Sequence, residues 1–274
     1  MGAVFTDKVI VQRLTDFVWF CNDTVLNEQR CYRLARILHS LGIGLRDLRH
    51  YYAGLTCQPS PGPQLDIPEL HPRFFPSIHT YLDTFGERVN FRYIVPLESD
   101  ATCVTFRAET LEASPRAIVV KFVERYSESA HRLLAKEDAA PQLFYLGSVG
   151  VDKSDPTYGH LKMVVMEYLD GMTVHVGDLS KQLPTTYLKE VENILTLLHE
   201  NGLVFGDLRS PNIMITKDNK VKFMDFDWAG KEQESYYPLH MSGTITWPEG
   251  AKPLAMIEKS HDIEMLKRLP KPVL

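Results

Sequence analysis

The chain has 274 residues, of which 44% are hydrophobic and 10% aromatic, so it can build a real core and is not disordered throughout. Its formal net charge of -5 gives no basic footprint, and neither nucleic acid nor an anionic membrane is expected as a partner. The four cysteines lie far apart without a CxxC pair, which suggests neither a zinc site nor a disulfide framework.

The most apolar early stretch, residues 9–21, is interrupted by polar and charged residues and is too short to span a bilayer. The start of the chain also lacks the basic region and small-residue cleavage site of a secretory signal. A cytoplasmic location is therefore expected, with the nucleus left open.

Apolar residues recur at helical spacing from Thr6 to about Tyr52. The first predicted helix follows Thr6 and Asp7 and carries Val9, Val11, Leu14, Phe17 and Val18. A second helix covers residues 32–41 and ends at Gly42, and a short third one covers residues 45–52. We predict an N-terminal helical accessory segment over residues 1–56, with a possible partner or dimer contact through these helices.

Six prolines and Gly62 fall between residues 59 and 76, a density that neither a helix nor a central strand tolerates. We therefore expect a Pro-rich linker over residues 57–90. Five strand-like runs follow, at residues 91–97, 102–108, 117–123, 142–149 and 161–168. A helical pattern over residues 125–134 interrupts them.

Beyond Asp170 the pattern becomes helical, most clearly over residues 183–201, and Gly202 is a good helix stop. Two short strand-like runs, at residues 212–215 and 221–224, then flank a polar turn. This order places the chemically informative residues after a helix and between short strands.

Three polar residues in this last part have the spacing that phosphoryl transfer requires. Asp207 is followed five residues later by Asn212, and Asp225 comes thirteen residues after that. One such group can orient an attacking hydroxyl while the other two hold magnesium. The alternative is that Asp207 and Asn212 only cap a loop, as these residue types often do.

The motifs Val-Phe-Gly-Asp-Leu-Arg around Asp207 and Asp-Phe-Asp-Trp-Ala-Gly from Asp225 resemble those of the protein-kinase-like superfamily. They look most like fungal atypical kinase-like proteins and are also similar to the aminoglycoside and choline kinase branch. The resemblance implies an α+β, two-lobed fold. A five-stranded antiparallel sheet with one helix would occupy residues 91–168, and a compact, mainly helical lobe residues 169–274.

The resemblance also implies roles for single residues. Asp207 matches the catalytic aspartate, and Asn212 and Asp225 match the magnesium ligands. Lys121 matches the strand lysine that contacts the nucleotide phosphates, with Glu128 as its expected helix partner. Glu124 and Glu137 are the competing candidates for that partner.

Met166, Glu167 and Leu169 stand where a kinase would receive adenine, and Arg209 where a cation would touch the transferred phosphate. Asp262 matches an aspartate that braces the catalytic loop, although a helix N-cap is an equal reading.

Three departures from the pattern accompany this resemblance. Residues 95–106, at the position of the nucleotide loop, contain no glycine, although glycine lets backbone amides approach phosphate closely. Phe205-Gly206 replaces the His-Arg of protein kinases. Asp227 replaces the glycine of the Asp-Phe-Gly motif, as in many small-molecule kinases, and two roles are open for it, support of the metal or only solvation of a turn.

The sequence therefore predicts a kinase that uses ATP and Mg²⁺ to phosphorylate a hydroxyl on a protein or a small molecule. The alternative is a pseudokinase that keeps the fold as a binding scaffold with weak or no nucleotide turnover.

Overall fold

The computed structural model describes residues 2–5, 9–12, 28–54, 75–98, 104–150, 161–174 and 183–272. The chain divides into two compact units, one up to His79 and one beginning at Thr80. Within the described ranges, no helix combines the length and the apolar character that crossing a membrane requires.

The first unit opens with a hairpin in place of the first predicted helix. Strand β1 (Gly2–Phe5) pairs with the antiparallel strand β2 (Val9–Gln12). The run Val9-Ile10-Val11 is β-branched throughout, and such side chains lose rotamer freedom in a helix but suit a strand. The helix prediction was wrong at these residues, while Leu14, Phe17 and Val18 lie outside the described ranges.

A single long helix, α1 (Glu28–Ala53), replaces the second and third predicted helices. The expected stop at Gly42 was wrong, because α1 continues through both Gly42 and Gly44. One interior glycine costs a helix only about 1 kcal/mol relative to alanine, and no proline follows to stop it.

Six apolar residues follow one another along α1 at alternating intervals of four and three. This leucine seam consists of Leu34, Leu38, Leu41, Leu45, Leu48 and Tyr52. Such spacing keeps side chains on one side of a helix, as in a coiled coil. Leu38 and Leu45 are 56% and 58% exposed, so the described part of the chain leaves the seam largely uncovered.

The second unit begins with a six-stranded sheet in which all neighbouring strands are antiparallel. Its strands are β3 (Thr80–Leu82), β4 (Arg88–Pro96), β5 (Thr105–Thr110), β6 (Ala117–Val123), β7 (Leu143–Ser148) and β8 (Lys162–Glu167). Helix α2 (Glu128–Lys136) lies between β6 and β7 in sequence. The spatial order is β3-β4-β5-β6-β8-β7, with six strands where five were expected.

Strand β3 is the unexpected member of this sheet. Its Tyr81 is only 1% exposed and lies against the rings of Phe91 and Tyr145, with centroids 6.2 and 6.1 Å away. Asp83 closes the following turn by accepting hydrogen bonds from the amides of Phe85 and Glu87. Three residues are too few to show an alternating pattern, which is why the sequence did not indicate this strand.

The rest of the second unit consists of short strands around two helices. In chain order these are β9 (Gly171–Thr173), α3 (Tyr187–Glu200), β10 (Leu203–Val204), β11 (Ile213–Thr216), β12 (Val221–Phe223), β13 (Gly230–Lys231) and α4 (Lys259–Lys267). The described helices here have 14 and nine residues, so this half is less helical than expected.

One buried cluster connects the two halves of this unit. It joins Leu134 of α2 to Leu198 of α3, to Phe223 at the end of β12, and to the loop residues Phe205 and Phe226. The mixed α+β character of the prediction agrees with this architecture. The loops that carry the candidate site are therefore anchored by their own buried aromatic residues.

Candidate active site

The first site loop follows β10 and is held in place by Gly206 and its neighbours. Gly206 has a φ of +81°, in the left-handed region that L side chains rarely adopt. A Cβ at this position would lie 3.0 Å from Ile257 Cδ1 and 3.2 Å from the Trp228 carbonyl oxygen. Glycine is therefore required for this loop conformation, which turns the chain immediately before Asp207.

Asp262 of α4 stabilises the same loop through hydrogen bonds to its backbone. Its carboxylate accepts hydrogen bonds from the backbone amides of Phe205 and Gly206, both at 2.8 Å, and lies 3.1 Å from His199 Nε2. The Asp262 side chain is only 1% exposed, so these partners replace water. The structure thus favours the bracing interpretation over a helix cap, since Glu258 is the N-cap residue of α4.

Asp207 is buried and paired with two side chains of its own loop. Arg209 donates to both carboxylate oxygens, with the second of these bonds, from Nη2 to Oδ2, at 2.7 Å. Asn212 Nδ2 also donates to Asp207 Oδ2, at 2.8 Å. Asp207 in turn raises the pKa of Arg209. The guanidinium lies 5.7 Å from the centroid of the Trp247 ring, which limits its freedom.

Asn212 ends a 3₁₀ turn, Ser210–Asn212, which contains Pro211. The side-chain Nδ2 of Asn212 donates hydrogen bonds to Asp207, so its side-chain oxygen is the atom that can coordinate a cation. Its backbone oxygen accepts a 2.9 Å hydrogen bond from Met224 N, the residue before Asp225. This bond joins the two polar motifs that are separated in sequence.

Asp225, two residues after the end of β12, has a φ of +67°, which lies in the left-handed region. Its Oδ1 lies 2.8 Å from Lys121 Nζ, and Asp227 Oδ2 lies 2.9 Å from the same ammonium group. Lys121, on the central strand β6, is only 7% exposed. Burial disfavours its charge, but the two carboxylates outweigh this effect and raise its pKa.

The two carboxylates of this turn have opposite pKa shifts. Burial opposes the ionisation of Asp225, but Lys121 lowers its pKa overall. For Asp227, burial and the neighbouring Asp225 charge raise the pKa to about 7. Asp227 Oδ1 is buried and has no hydrogen-bond partner among the described residues.

The expected Lys121–Glu128 pair is not formed. Glu128 is the first residue of α2, its side chain is 52% exposed, and its carboxylate pairs with Arg132 one turn later. The inward face of α2 instead presents His131, which is fully buried. The helix begins three residues later than the sequence pattern suggested, which places Glu128 in its exposed first turn.

His131 packs against the aromatic residue of the Asp-Phe-Asp turn. Its ring is stacked on Phe226, with centroids 4.5 Å apart and planes 8° apart. Its ring nitrogens contact Tyr126 Oη and the Pro141 carbonyl oxygen, both at 2.8 Å. Ser127 N also donates to the Phe226 carbonyl oxygen, at 3.1 Å, so the start of α2 is tied to the turn.

The residues proposed to receive adenine lie at the end of β8. Met166 is buried, and Tyr126 Oη donates a weak 4.0 Å bond to its sulfur. The amide of Glu167 donates to the Gln142 carbonyl oxygen, so this amide is already paired within the protein. Leu169 is buried two residues further on. Of the glycine-free loop, residues 99–103 lie outside the described ranges.

The donor set around Asp225 fits Mg²⁺ but not a metal held by protein alone. Among the described residues, no group of three or more His, Cys, Asp or Glu side chains converges as a metal site. Magnesium is usually bound by one or two carboxylates together with substrate phosphates and water. The oxygens of Asn212 and Asp225 match that requirement.

A model of the protein kinase domain matches residues 153–252, a range that contains Asp207, Asn212 and Asp225 but not Lys121. The chain is 31% identical over 128 residues to the probable serine/threonine-protein kinase mkcB of Dictyostelium discoideum, covering 45% of this chain and 17% of that protein. It is 32% identical over 111 residues to MAP3K epsilon protein kinase 2 of Arabidopsis thaliana, covering 38% and 8%.

A third relative is the serine/threonine-protein kinase PknB of Mycolicibacterium smegmatis, 37% identical over 76 residues, covering 26% of this chain and 12% of that protein. The chain thus spans less than a fifth of the length of each of these relatives. Over these matched residues the chain is therefore similar to protein kinases. These similarities do not distinguish the fungal atypical or the choline kinase branch.

Proposed function

We propose that this chain is an ATP- and Mg²⁺-dependent phosphotransferase that transfers the γ-phosphate to a hydroxyl group. The observation that carries the proposal is the linkage of two carboxylate sites from separate loops. Asn212 bonds to Asp207 through its side chain and to Met224, beside Asp225, through its backbone. A candidate base and a candidate metal ligand are thereby held in one framework.

Asp207 orients the acceptor hydroxyl and accepts its proton as the hydroxyl oxygen bonds to the γ-phosphorus and the bond from that phosphorus to ADP breaks. Arg209 and Asn212 fix its carboxylate in one orientation, so little reorganisation is needed when the acceptor arrives. Arg209 also supplies positive charge beside the carboxylate, where the transferred phosphoryl group would carry negative charge.

Lys121 contacts the nucleotide phosphates, and the segment Met166–Leu169 receives the adenine ring. The oxygens of Asn212 and Asp225 would hold Mg²⁺, which would neutralise part of the negative charge of the phosphates. Asp225, which pairs with the Lys121 ammonium here, would then face a more highly charged cation.

A serine or threonine hydroxyl of a protein is the acceptor class that the names of the relatives favour, with a small alcohol as the competing class. Transfer from labelled ATP to a protein mixture, run beside a panel of small alcohols, decides between them.

We also propose that the leucine seam of α1 contacts a second copy of this chain, because its spacing matches a coiled-coil partner.

A pseudokinase is the second candidate, and the absence of glycine from residues 95–106 favours it. A thermal-shift titration with ATP, with and without Mg²⁺, separates the two proposals. Stabilisation that requires both components supports the enzyme, whereas no stabilisation at millimolar ATP refutes it. Transfer by the Asp207→Asn variant at the wild-type rate would refute the assignment of the base.

A further inference from the structure

Lys121 obtains both of its carboxylate partners from the turn that follows β12. Asp225 and Asp227 lie 2.8 and 2.9 Å from its ammonium group. Helix α2 provides none of this charge, because Glu128 is paired with Arg132 at the exposed start of the helix. An ammonium group as buried as that of Lys121 needs such a partner, since an uncompensated buried charge is strongly destabilising.

Asp225 and Asp227 differ in the other role that is proposed for them. Asp225 is the proposed ligand of Mg²⁺, and a carboxylate that binds a divalent cation has less charge to offer an ammonium group. Asp227 pairs with the same ammonium through Oδ2. It can therefore keep Lys121 in place when Asp225 is engaged by metal.

The position of Asp227 is also well defined by its neighbours. Phe226, the preceding residue, is fully buried and stacked on His131, and its carbonyl oxygen accepts the bond from Ser127 N. A side chain on so constrained a backbone can orient a flexible lysine at small entropic cost.

We propose that Asp227 is the positioning residue for Lys121, in the place that a helix glutamate was expected to take. This inference rests on the proposed function, because Lys121 is positioned for nucleotide phosphates. Asp227 acts through Lys121 and is not itself assigned to the reacting atoms.

A double-mutant cycle with Lys121→Met and Asp227→Asn tests the proposal in two measurements. The first is the urea midpoint of each variant without nucleotide, which does not require that the chain binds ATP. The midpoint shifts of the two single variants should add up to clearly more than the shift of the double variant. Additive shifts would overturn the pairing, whether or not the chain binds ATP.

The second measurement is the affinity for ADP with Mg²⁺ by calorimetry. Asp227→Asn should weaken binding about tenfold in the Lys121 protein and leave it unchanged in the Lys121→Met background, as expected for one shared interaction. Glu128→Gln is the matched control and should alter neither measurement. Equal losses in both backgrounds, or a loss with Glu128→Gln, would overturn the proposal.

If the wild-type protein fails to bind nucleotide, the proposed function fails, while the urea cycle still decides the pairing. The Asn variant has nearly the shape of Asp. Should it not fold, Asp227→Ser in the same cycle replaces it, and the same additivity criterion applies.

Discussion

Replacing Asp262 by alanine should destabilise the protein strongly, because this carboxylate is the acceptor for two buried amides. The amides of Phe205 and Gly206 donate to its two oxygens at 2.8 Å. A hydrogen bond to a charged group contributes about 1.5–3 kcal/mol, so losing both should cost about 3–6 kcal/mol. That is a large part of the roughly 5–15 kcal/mol by which a typical domain is stable.

Urea denaturation followed by tryptophan fluorescence measures this loss, and two further variants calibrate it. Asp262→Asn keeps one acceptor oxygen and should lose about half as much stability as the alanine variant. Glu264→Gln removes a carboxylate from the same helix that pairs with Arg268 at the surface, and should cost less than about 1 kcal/mol.

An Asp262→Ala variant no less stable than Glu264→Gln would refute the bracing argument. The amides also fix the backbone directly before Asp207, so the alanine variant should lose phosphate transfer even under conditions where it remains folded. Transfer at the wild-type rate in a folded Asp262→Ala protein would show that Asp207 does not depend on this brace.

Three other predictions concern residues other than the charged side chains of the site. Burial lowers the pKa of His131 to about 4, below its ordinary 6.5, so stability should be full above pH 6.5 and fall by up to about 3 kcal/mol towards pH 4. Denaturation across this range measures the loss, which His131→Gln should flatten. Gly206→Ala should cost about 2–3 kcal/mol, from its positive φ and crowded Cβ, whereas Gly243→Ala, with open space around it, should cost little. Leu45→Asp in the seam should lower the solution mass measured by light scattering without altering nucleotide binding, and an unchanged mass would contradict a dimer through α1.

The sequence identified candidate polar residues of the site more readily than the contacts between them. Asp207, Asn212 and Asp225 were identifiable because polar residues at fixed spacing follow apolar runs, and short-range spacing survives folding. The structure brings Asn212 to Asp207 and Lys121 to Asp225. Their roles remain proposals.

The partner of Lys121 depended on information that the sequence pattern does not contain. Helix α2 begins at Glu128, so this residue lies in the exposed first turn and pairs with Arg132, while His131 in the following turn is buried. Asp227 is separated from Lys121 by more than one hundred residues, so only the folded chain shows that they meet. Sequence spacing alone could not favour Asp227 over Glu128 as the partner of Lys121.

Local propensity explains the errors in the first unit. The helix was predicted from apolar residues between Val9 and Val18, but its first residues form a β-branched run that prefers a strand, and the structure has strand β2 there. At Gly42 the opposite happened, since a propensity cost of about 1 kcal/mol did not interrupt a helix with good formers on both sides.

The stack of His131 on Phe226 also limits which conformations the Asp-Phe-Asp turn can populate. Swinging the phenylalanine outward would break the ring stack and the bond from Ser127 N, together worth about 2–3 kcal/mol. An energy gap of that size leaves the outward conformer at about 1% of molecules. A ligand that requires that conformer would bind about a hundredfold more weakly than its contacts alone would allow. The turn therefore lowers the affinity for such ligands even when they make no contact with Asp225.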